Sequence, residues 1–236
     1  MISVCMATYN GERFIGSQLD SVLSQLGAQD ELIVSDDGST DRTEQIIRSR
    51  EDSRIRVLHH TPCGVPFNFE NAITAARGDY IFLCDQDDLW RTDKVRRCMA
   101  EFEKGMDLVV TDAAVIDGAG QMIIPSFFDI KQSGPGFWRN LRQNTYLGCC
   151  MAFRACWCRK LLPLPRGINM HDEWIGSLIS FSGGQEAFIR EPLTLYRQHD
   201  GNVTRSASKS TTTLTWKIHK RVVLLWSCIG RRIGVA

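Results

Sequence analysis

The feature of this sequence that most constrains its fold is an alternation of short apolar runs with segments of helical periodicity. The apolar runs occupy residues 2–7, 31–35, 55–58 and 80–84. Between them, apolar residues recur at the roughly three- to four-residue spacing of an amphipathic helix. Short strands that alternate with helices form a mostly parallel sheet with right-handed crossovers. We therefore predict an α/β fold with a mostly parallel sheet flanked by helices.

Three polar loops follow the predicted strands and carry most of the residues that can do chemistry. They occupy residues 8–11, 36–41 and 85–88, after the first, second and fourth strands. Ligands of parallel α/β sheets bind beyond the carboxyl ends of the strands. We therefore expect these loops to converge on one cleft, although they lie far apart in the sequence.

The third of these loops carries Asp85, Asp87 and Asp88 directly after an apolar strand. Three carboxylates this close repel one another unless a cation or a hydrogen-bond network neutralises them. Hard oxygen ligands suit Mg2+ or Mn2+, which one or two carboxylates hold while substrate phosphates complete the coordination. The alternative is that Asp87 or Asp88 caps the start of a helix.

The composition limits the class of protein and its partners. A chain of 236 residues, 43% hydrophobic and 23% charged, is typical of a globular protein. The net charge of +1 gives no overall field that favours nucleic acid, which we exclude as a partner. No apolar run reaches the roughly 18 residues that span a bilayer, and no signal peptide is recognisable. We expect a protein that is neither exported nor integral to the membrane.

The cysteines and one pair of histidines are interpreted as structural. The chain has nine cysteines, an odd number in a chain too large to need disulfides, which indicates reduced thiols in the cytosol. The densest group, at 149–158, lacks paired metal-ligand spacing, so we interpret it as core rather than as a zinc site. His59 and His60 have no acidic or cysteine partner at ligand spacing and are interpreted as loop histidines.

Six segments in a fixed order carry a resemblance to a known family. They lie at 7–11, 34–41, 76–81, 83–88, 171–174 and 196–202. Together they closely resemble the inverting family 2 glycosyltransferases of the GT-A fold, and the resemblance covers about residues 1–205. The segment Asp-Gln-Asp-Asp-Leu-Trp at 85–90 is similar to the branch that contains bacterial rhamnosyltransferases and related polysaccharide enzymes.

The resemblance implies a nucleotide-diphosphate sugar as donor, linked to UDP or dTDP. Thr8 and Tyr9 would line the base pocket, and Asp37 would accept a hydrogen bond from the imide of uracil or thymine. Asp85 would lie near the ribose and the metal, and Arg77 would contact the diphosphate.

The resemblance also implies the metal ligands and the catalytic base. Asp87 and His199 would bind the Mn2+ or Mg2+ ion that bridges the diphosphate of the donor. Asp172 would accept the proton of the acceptor hydroxyl, so that a direct displacement inverts the anomeric centre. Trp174 would be a further substrate contact. The residues on either side of Asp172 stay open as alternative bases.

The predicted domain organisation has three parts. A GT-A domain at 1–205 comprises a nucleotide-binding half at about 1–105 and an acceptor-binding half at 106–205, followed by a Ser/Thr/Lys linker at 206–213. The tail at 214–236 is basic and contains no acidic residue. We predict that it forms an amphipathic helix on an anionic membrane surface. Docking on the domain or on a second subunit is the alternative.

These features predict an inverting glycosyltransferase on the cytoplasmic face of the membrane. Its acceptor would be a glycan such as a lipid-linked oligosaccharide of a cell-surface polysaccharide. The alternatives are a sugar-nucleotide nucleotidyltransferase, which should carry a Gly-rich basic loop after its first strand, and a non-catalytic nucleotide- or glycan-binding domain. A set of aromatic residues either stacks on acceptor sugars or packs in the core, namely Phe127, Phe128, Phe137, Trp138 and Tyr146.

Overall fold

The computed structural model describes residues 1–168, 170–199 and 213–233. The predicted linker at 206–213 lies outside the described residues except for Thr213. The described strands are β1 (Ile2–Thr8), β2 (Glu31–Asp36), β3 (Ile55–His59), β4 (Tyr80–Asp85), β5 (Leu89–Trp90), β6 (Leu108–Ile116), β7 (Met122–Ile124), β8 (Met151–Arg154) and β9 (Glu186–Arg197). The described helices are α1 (Ile15–Leu23), α2 (Thr43–Arg48), α3 (Val65–Ala75), α4 (Lys94–Glu103), α5 (Phe127–Lys131), α6 (Phe137–Arg142), α7 (Cys158–Leu161), α8 (His171–Phe181) and α9 (Leu214–Ile233).

The described strands form one continuous sheet. Their order is β3-β2-β1-β4-β8-β6-β9-β5, and β7 pairs with β6. Strands β1 to β4 pair in parallel, which confirms the predicted arrangement of the first half of the chain. Strand β8 then joins β4 to β6 in antiparallel pairing. A single sheet therefore passes through both predicted halves of the domain.

Successive residues of the first strands face two different hydrophobic clusters. In β2, Ile33 packs with Phe69 of α3 on one face of the sheet, whereas Val34 packs with Leu19 of α1 on the other. All four side chains are fully buried. Because side chains alternate across a strand and both faces are covered, the strand is an uninterrupted apolar run in the sequence. Polar loops are therefore found at the ends of these strands and not on the faces of the sheet.

Strand β6 is continuous over Leu108–Ile116, although its sequence contains two separate apolar runs, at 108–110 and 113–116. The apolar pattern is interrupted by Asp112, whose side chain is buried and accepts hydrogen bonds from Phe128 N at 2.9 Å and Ser126 Oγ at 2.6 Å. A buried carboxylate supplied with donors does not end a strand. Before β8, residues 148–150 form a 3-10 turn.

Helix α9, which forms most of the predicted tail, is docked on the core by one face. Leu224 and Cys228 are buried in the larger hydrophobic cluster. Three arginines of α9 donate hydrogen bonds to carbonyl oxygens at or near the carboxyl ends of other helices: Arg221 Nε to Leu141 O at 2.7 Å, Arg231 Nη1 to Leu162 O at 2.9 Å and Arg232 Nη1 to Phe181 O at 3.2 Å. Such carbonyls lack partners within their own helix and carry partial negative charge. The tail is therefore integrated with the domain.

Away from the docked face, α9 exposes several large apolar side chains. Trp216, Ile218, Val222 and Trp226 are all exposed, and Trp226 is 67% exposed. Where α9 passes α6, apolar side chains of both helices line an open groove of about 340 Å³. Among the described residues, no helix combines the length and the apolar character required to cross a bilayer.

Candidate active site

The parallel pairing of β1, β2 and β4 brings three polar loops to one edge of the sheet. Thr8 pairs in register with Asp36, and Ala7 pairs with Asp85. Asp37 N donates a hydrogen bond to Thr8 O at 2.9 Å. The predicted convergence of these loops is therefore present, and their functional side chains lie beyond the carboxyl ends of the strands.

The Asp37 carboxylate is held in place by backbone amides of the loop that precedes α3. Its Oδ1 accepts a hydrogen bond from Cys63 N at 2.7 Å, and its Oδ2 accepts one from Gly64 N at 2.9 Å. Each carboxylate oxygen has two lone pairs, so acceptor capacity remains for a ligand. Tyr9 is 55% exposed on the adjoining loop. Asp37 is therefore an acceptor of fixed orientation next to the loop that carries the exposed Tyr9.

Asp85, Asp87 and Asp88 have different environments. Burial, followed by the neighbouring Asp87 and Asp172 charges, raises the pKa of Asp85 to about 8. Asp87 Oδ2 lies 2.8 Å from His199 Nε2. Asp88 is fully buried, and burial raises its pKa well above the usual range. The site therefore concentrates negative charge in a poorly solvated place.

The alternative that Asp87 or Asp88 caps a helix is wrong. Their loop continues into β5, and α4 begins only at Lys94, with Asp93 in the N-cap position. Instead, Asp88 Oδ1 accepts a hydrogen bond from Arg197 N at 2.9 Å, which ties the loop to the end of β9. This contact brings the segment that carries His199 next to Asp87.

The donor set of this loop fits a divalent cation. Asp87 and His199 offer an oxygen and a nitrogen in direct contact. Asp85, Asp88 and Cys149 offer further ligand atoms that lie within 4.8 Å of one another. Within the described part of the chain, Asp88 Oδ2 is buried without a hydrogen-bond partner. Carboxylate oxygens and imidazole nitrogen suit Mn2+, and a cation would offset the repulsion among the carboxylates.

Asp172 lies in the first turn of α8, close to the acidic loop (residues 85–88). It is 7% exposed, and its Oδ1 accepts a hydrogen bond from Glu173 N at 2.6 Å. Burial raises the pKa of Asp172 to about 7, a value suited to a general base near neutral pH. Its charge contributes to the raised pKa of Asp85, which indicates that the two carboxyl groups share one site.

The two neighbours of Asp172 point elsewhere. Glu173 and Lys220 of α9 line a small cavity. Burial raises the pKa of Glu173, and the charges of Lys220 and Arg221 partly offset this rise. His171 is buried and stacks on Phe69, with ring centroids 3.9 Å apart. Burial lowers the pKa of His171 to about 3, so it is neutral. Of the three candidate bases, Asp172 alone is associated with the acidic loop.

Arg77 does not lie at the active site, so the predicted diphosphate contact is wrong. Its backbone N–H donates to Glu31 Oε1 at 2.8 Å, and Glu31 is the first residue of β2. Asp85 is the last residue of β4, and the six residues of that strand span about 20 Å. Arg77 therefore lies at the amino edge of the sheet, on the opposite side from the acidic loop.

Trp174 is a core residue rather than a substrate contact. Its side chain is fully buried, and its Nε1–H donates to Leu161 O at 3.0 Å. The helix that places Asp172 at the cleft turns Trp174 into the core, because residues two positions apart on a helix face different directions. Four of the aromatic residues considered for acceptor stacking are also buried, namely Phe127, Phe128, Phe137 and Tyr146, whereas Trp138 is 70% exposed.

His60 has partners that the sequence did not reveal. Its Nδ1 lies 3.8 Å from Asp37 Oδ1 and 3.7 Å from Cys63 Sγ. His60 lies in a loop, as interpreted, but it has an acidic and a cysteine neighbour that spacing in the sequence did not indicate. Its Nε2 lies 3.1 Å from Asn68 Oδ1, and Asn68 Nδ2 donates to Thr8 O at 3.2 Å. His60 therefore supports the loops around Asp37. The signal was its position after β3, beside the loop that follows β2.

Comparison with known proteins gives matches over most of the chain. The sequence matches the family described as Glycosyl transferase family 2 over residues 3–162. It is 27% identical over 221 residues to the dTDP-rhamnosyl transferase RfbG of Shigella flexneri, covering 84% of this chain and 72% of that protein. It is 38% identical over 96 residues to the UDP-Glc:alpha-D-GlcNAc-diphosphoundecaprenol beta-1,3-glucosyltransferase WfaP of Escherichia coli, covering 40% of this chain and 38% of that protein.

Two solved structures share the fold. S. aureus TarS 1-349 in complex with UDP-GlcNAc superposes with a TM-score of 0.73 at 19% identity, covering 95% of this chain and 66% of that one. The mannosyltransferase PcManGT of Pyrobaculum calidifontis, in complex with GDP-Man and Mn2+, gives a TM-score of 0.64 at 18% identity, covering 99% of this chain and 64% of that one. This chain therefore spans less than two thirds of the length of both structures.

Proposed function

Because the chain belongs to glycosyl transferase family 2 and has the GT-A fold, we propose that it is an inverting glycosyltransferase. The donor would be a UDP- or dTDP-sugar, and the acceptor a glycan of a cell-surface polysaccharide. RfbG is described as a dTDP-rhamnosyl transferase and WfaP as acting with UDP-Glc, so both pyrimidine donors occur among the relatives. The family match favours this function over a nucleotidyltransferase or a non-catalytic binding domain.

The observation that carries this proposal is the geometry of the cleft. Asp37 provides a fixed acceptor at one end of the carboxyl edge, and the Asp87–His199 pair lies at the other. Asp172 adds a buried carboxyl group with a pKa of about 7 beside Asp85. A nucleobase, a diphosphate and an attacking hydroxyl each have a suitable partner in this arrangement.

The proposed mechanism assigns separate tasks to these residues. Asp87 and His199 would hold Mn2+ or Mg2+, an ion that supplies Lewis-acid stabilisation of the charge developing on the diphosphate. Asp172 would accept the proton of the acceptor hydroxyl on a carboxylate oxygen as that hydroxyl attacks the anomeric carbon. The hydrogen bond from Glu173 N fixes the orientation of the Asp172 carboxylate for this transfer. Direct displacement would break the bond between the anomeric carbon and the diphosphate oxygen, release the nucleoside diphosphate and invert the configuration at the anomeric carbon.

The exposed face of α9 supports a location at the cytoplasmic membrane surface. Tryptophan side chains with basic neighbours are typical of helices that lie in the interface of an anionic bilayer. Trp216 and Trp226 are exposed, and Lys220 Nζ lies 3.3 Å from the centroid of the Trp216 ring. A lipid-linked acceptor would then be concentrated where the enzyme binds. The name of WfaP, which includes a diphosphoundecaprenol, is consistent with such an acceptor for this chain.

The test of the proposed function is nucleotide binding with and without metal. We expect isothermal titration calorimetry to detect UDP or dTDP binding that strengthens when MnCl2 is added. Asp87→Asn should lose the increment that depends on Mn2+. Asp79→Asn is the matched control, because Asp79 pairs with the N-terminal amine at the amino edge of the sheet. If neither pyrimidine nucleotide binds in the presence of Mn2+, the proposal is wrong.

A further inference from the structure

The side chain of Gln86 links the two loops that form the donor site. Its Oε1 accepts hydrogen bonds from Thr8 Oγ1 at 2.5 Å and from Tyr9 N at 3.0 Å. Its Nε2 donates to Tyr9 O at 2.9 Å. The primary amide thus pairs with both polar groups of the Tyr9 backbone, much as a neighbouring strand would.

Gly11 makes room for this contact. A Cβ atom at Gly11 would lie 2.2 Å from Gln86 Oε1 and 2.7 Å from Gln86 Cδ, and its three nearest atoms would all belong to Gln86. Gly11 does not have a positive φ angle, so the backbone itself accepts alanine. The amide of Gln86 is therefore the nearest obstacle to a larger residue at position 11.

The linked loops carry different parts of the proposed donor site. Thr8 and Tyr9 belong to the nucleobase end, whereas Gln86 lies between Asp85 and Asp87 at the metal end. A loop that is ordered before the ligand arrives does not have to lose conformational entropy on binding. We propose that Gln86 is a positioning residue that holds the nucleobase loop in its binding conformation and couples it to the metal loop. This inference rests on the proposed function.

The first experiment removes the link and measures donor binding. In Gln86→Ala, we expect the Kd for the tighter of UDP and dTDP, measured with MnCl2, to rise about tenfold, as the loss of a few partly exposed hydrogen bonds implies. The KM for the donor sugar should rise in parallel, while kcat changes less than about threefold. Gln25→Ala is the matched control, because the Gln25 amide also bridges two segments, through hydrogen bonds with Ser21 O of α1 and Val95 N of α4.

The second experiment tests the coupling between Gln86 and Gly11. Gly11→Ala should expel the Gln86 amide and weaken nucleotide binding as much as Gln86→Ala does. The double variant should then bind nucleotide no more weakly than Gln86→Ala alone. The losses of binding free energy would therefore be non-additive in this double-mutant cycle. Additive losses, or unchanged nucleotide affinity in Gln86→Ala, would overturn the inference. These results are distinguishable from failure of the proposed function, in which the unmodified chain itself binds neither UDP nor dTDP.

Discussion

Replacing Asp172 with asparagine should abolish turnover and leave donor binding intact. Asparagine has the shape of aspartate, and its Oδ1 can still accept the hydrogen bond from Glu173 N. It cannot accept the proton of an attacking hydroxyl, so kcat should fall by about 10²- to 10⁴-fold. The Kd for the nucleotide, measured by calorimetry with MnCl2, should change less than about twofold, because the role proposed for Asp172 concerns the acceptor hydroxyl and not the donor.

The same substitution should stabilise the metal-free protein at alkaline pH. Burial raises the pKa of Asp172 from 3.8 to about 7, so the folded state disfavours the ionised form. The contribution of Asp172 to stability is complete below pH 3.8 and is lost as the pH rises through about 7. From pH 5.5 up to the folded-state pKa, the free energy of unfolding falls by about 1.4 kcal/mol for each pH unit. The total fall between pH 5.5 and pH 8 is about 2 kcal/mol. Asparagine does not titrate, so the variant escapes this loss.

The assay is urea unfolding of both proteins in EDTA at pH 5.5 and at pH 8. From pH 5.5 to pH 8, the free energy of unfolding should fall by about 2 kcal/mol more in the unmodified protein than in the asparagine variant. A variant that gains nothing would show that ionised Asp172 is not destabilised by its surroundings. Normal turnover by the variant would falsify the assignment of the base and move it to another residue.

Three further predictions test the remaining parts of the structure. Leu224→Ala should lower the free energy of unfolding in urea by about 2–3 kcal/mol because Leu224 is buried, whereas Val222→Ala, at a 45% exposed position, should change it by less than about 0.5 kcal/mol. Trp226→Glu should reduce flotation with phosphatidylglycerol vesicles severalfold without altering circular dichroism, and unchanged flotation would contradict a membrane role for this face of α9. Arg77→Ala should leave the KM for the donor within about twofold, since Arg77 lies at the amino edge of the sheet, and a large increase in KM would show that its placement is wrong.

The sequence predicted the parts of the site that depend on chain order. Thr8, Asp37 and Asp85 each follow a short apolar strand, and parallel strands bring their carboxyl ends to one edge. The predicted convergence followed from that rule and from the motif resemblance. Asp112 is a residue that the local sequence does not explain, because it interrupts the apolar pattern in the middle of a buried strand. Its partners, Ser126 and Phe128, belong to a later segment that no local sequence pattern identifies.

The errors have two causes: Arg77 precedes β4 and therefore lies at its amino end, whereas the role of Trp174 depends on side-chain direction. Arg77 and Trp174 lie within matching motif segments, yet one is at the wrong edge of the sheet and the other is in the core. A motif specifies which residues are neighbours along the chain. It does not specify on which side of a strand or helix each side chain emerges relative to the cleft. The tail was similarly ambiguous, because a basic amphipathic helix suits both a membrane surface and the carboxyl ends of neighbouring helices.

By itself, the sequence determined the α/β fold, the edge of the sheet at which the loops meet, and the concentration of carboxylates after β4. These follow from the two-residue period of strands, the period of about 3.6 residues of helices, and the handedness of crossovers. The tertiary structure alone decided which carboxylates are buried, which candidate base faces the acidic loop, and which residue links the two donor loops. Burial, pKa and hydrogen-bond partners arise from contacts between distant segments, as between Gln86 and Tyr9, and such contacts exist only once the chain is folded.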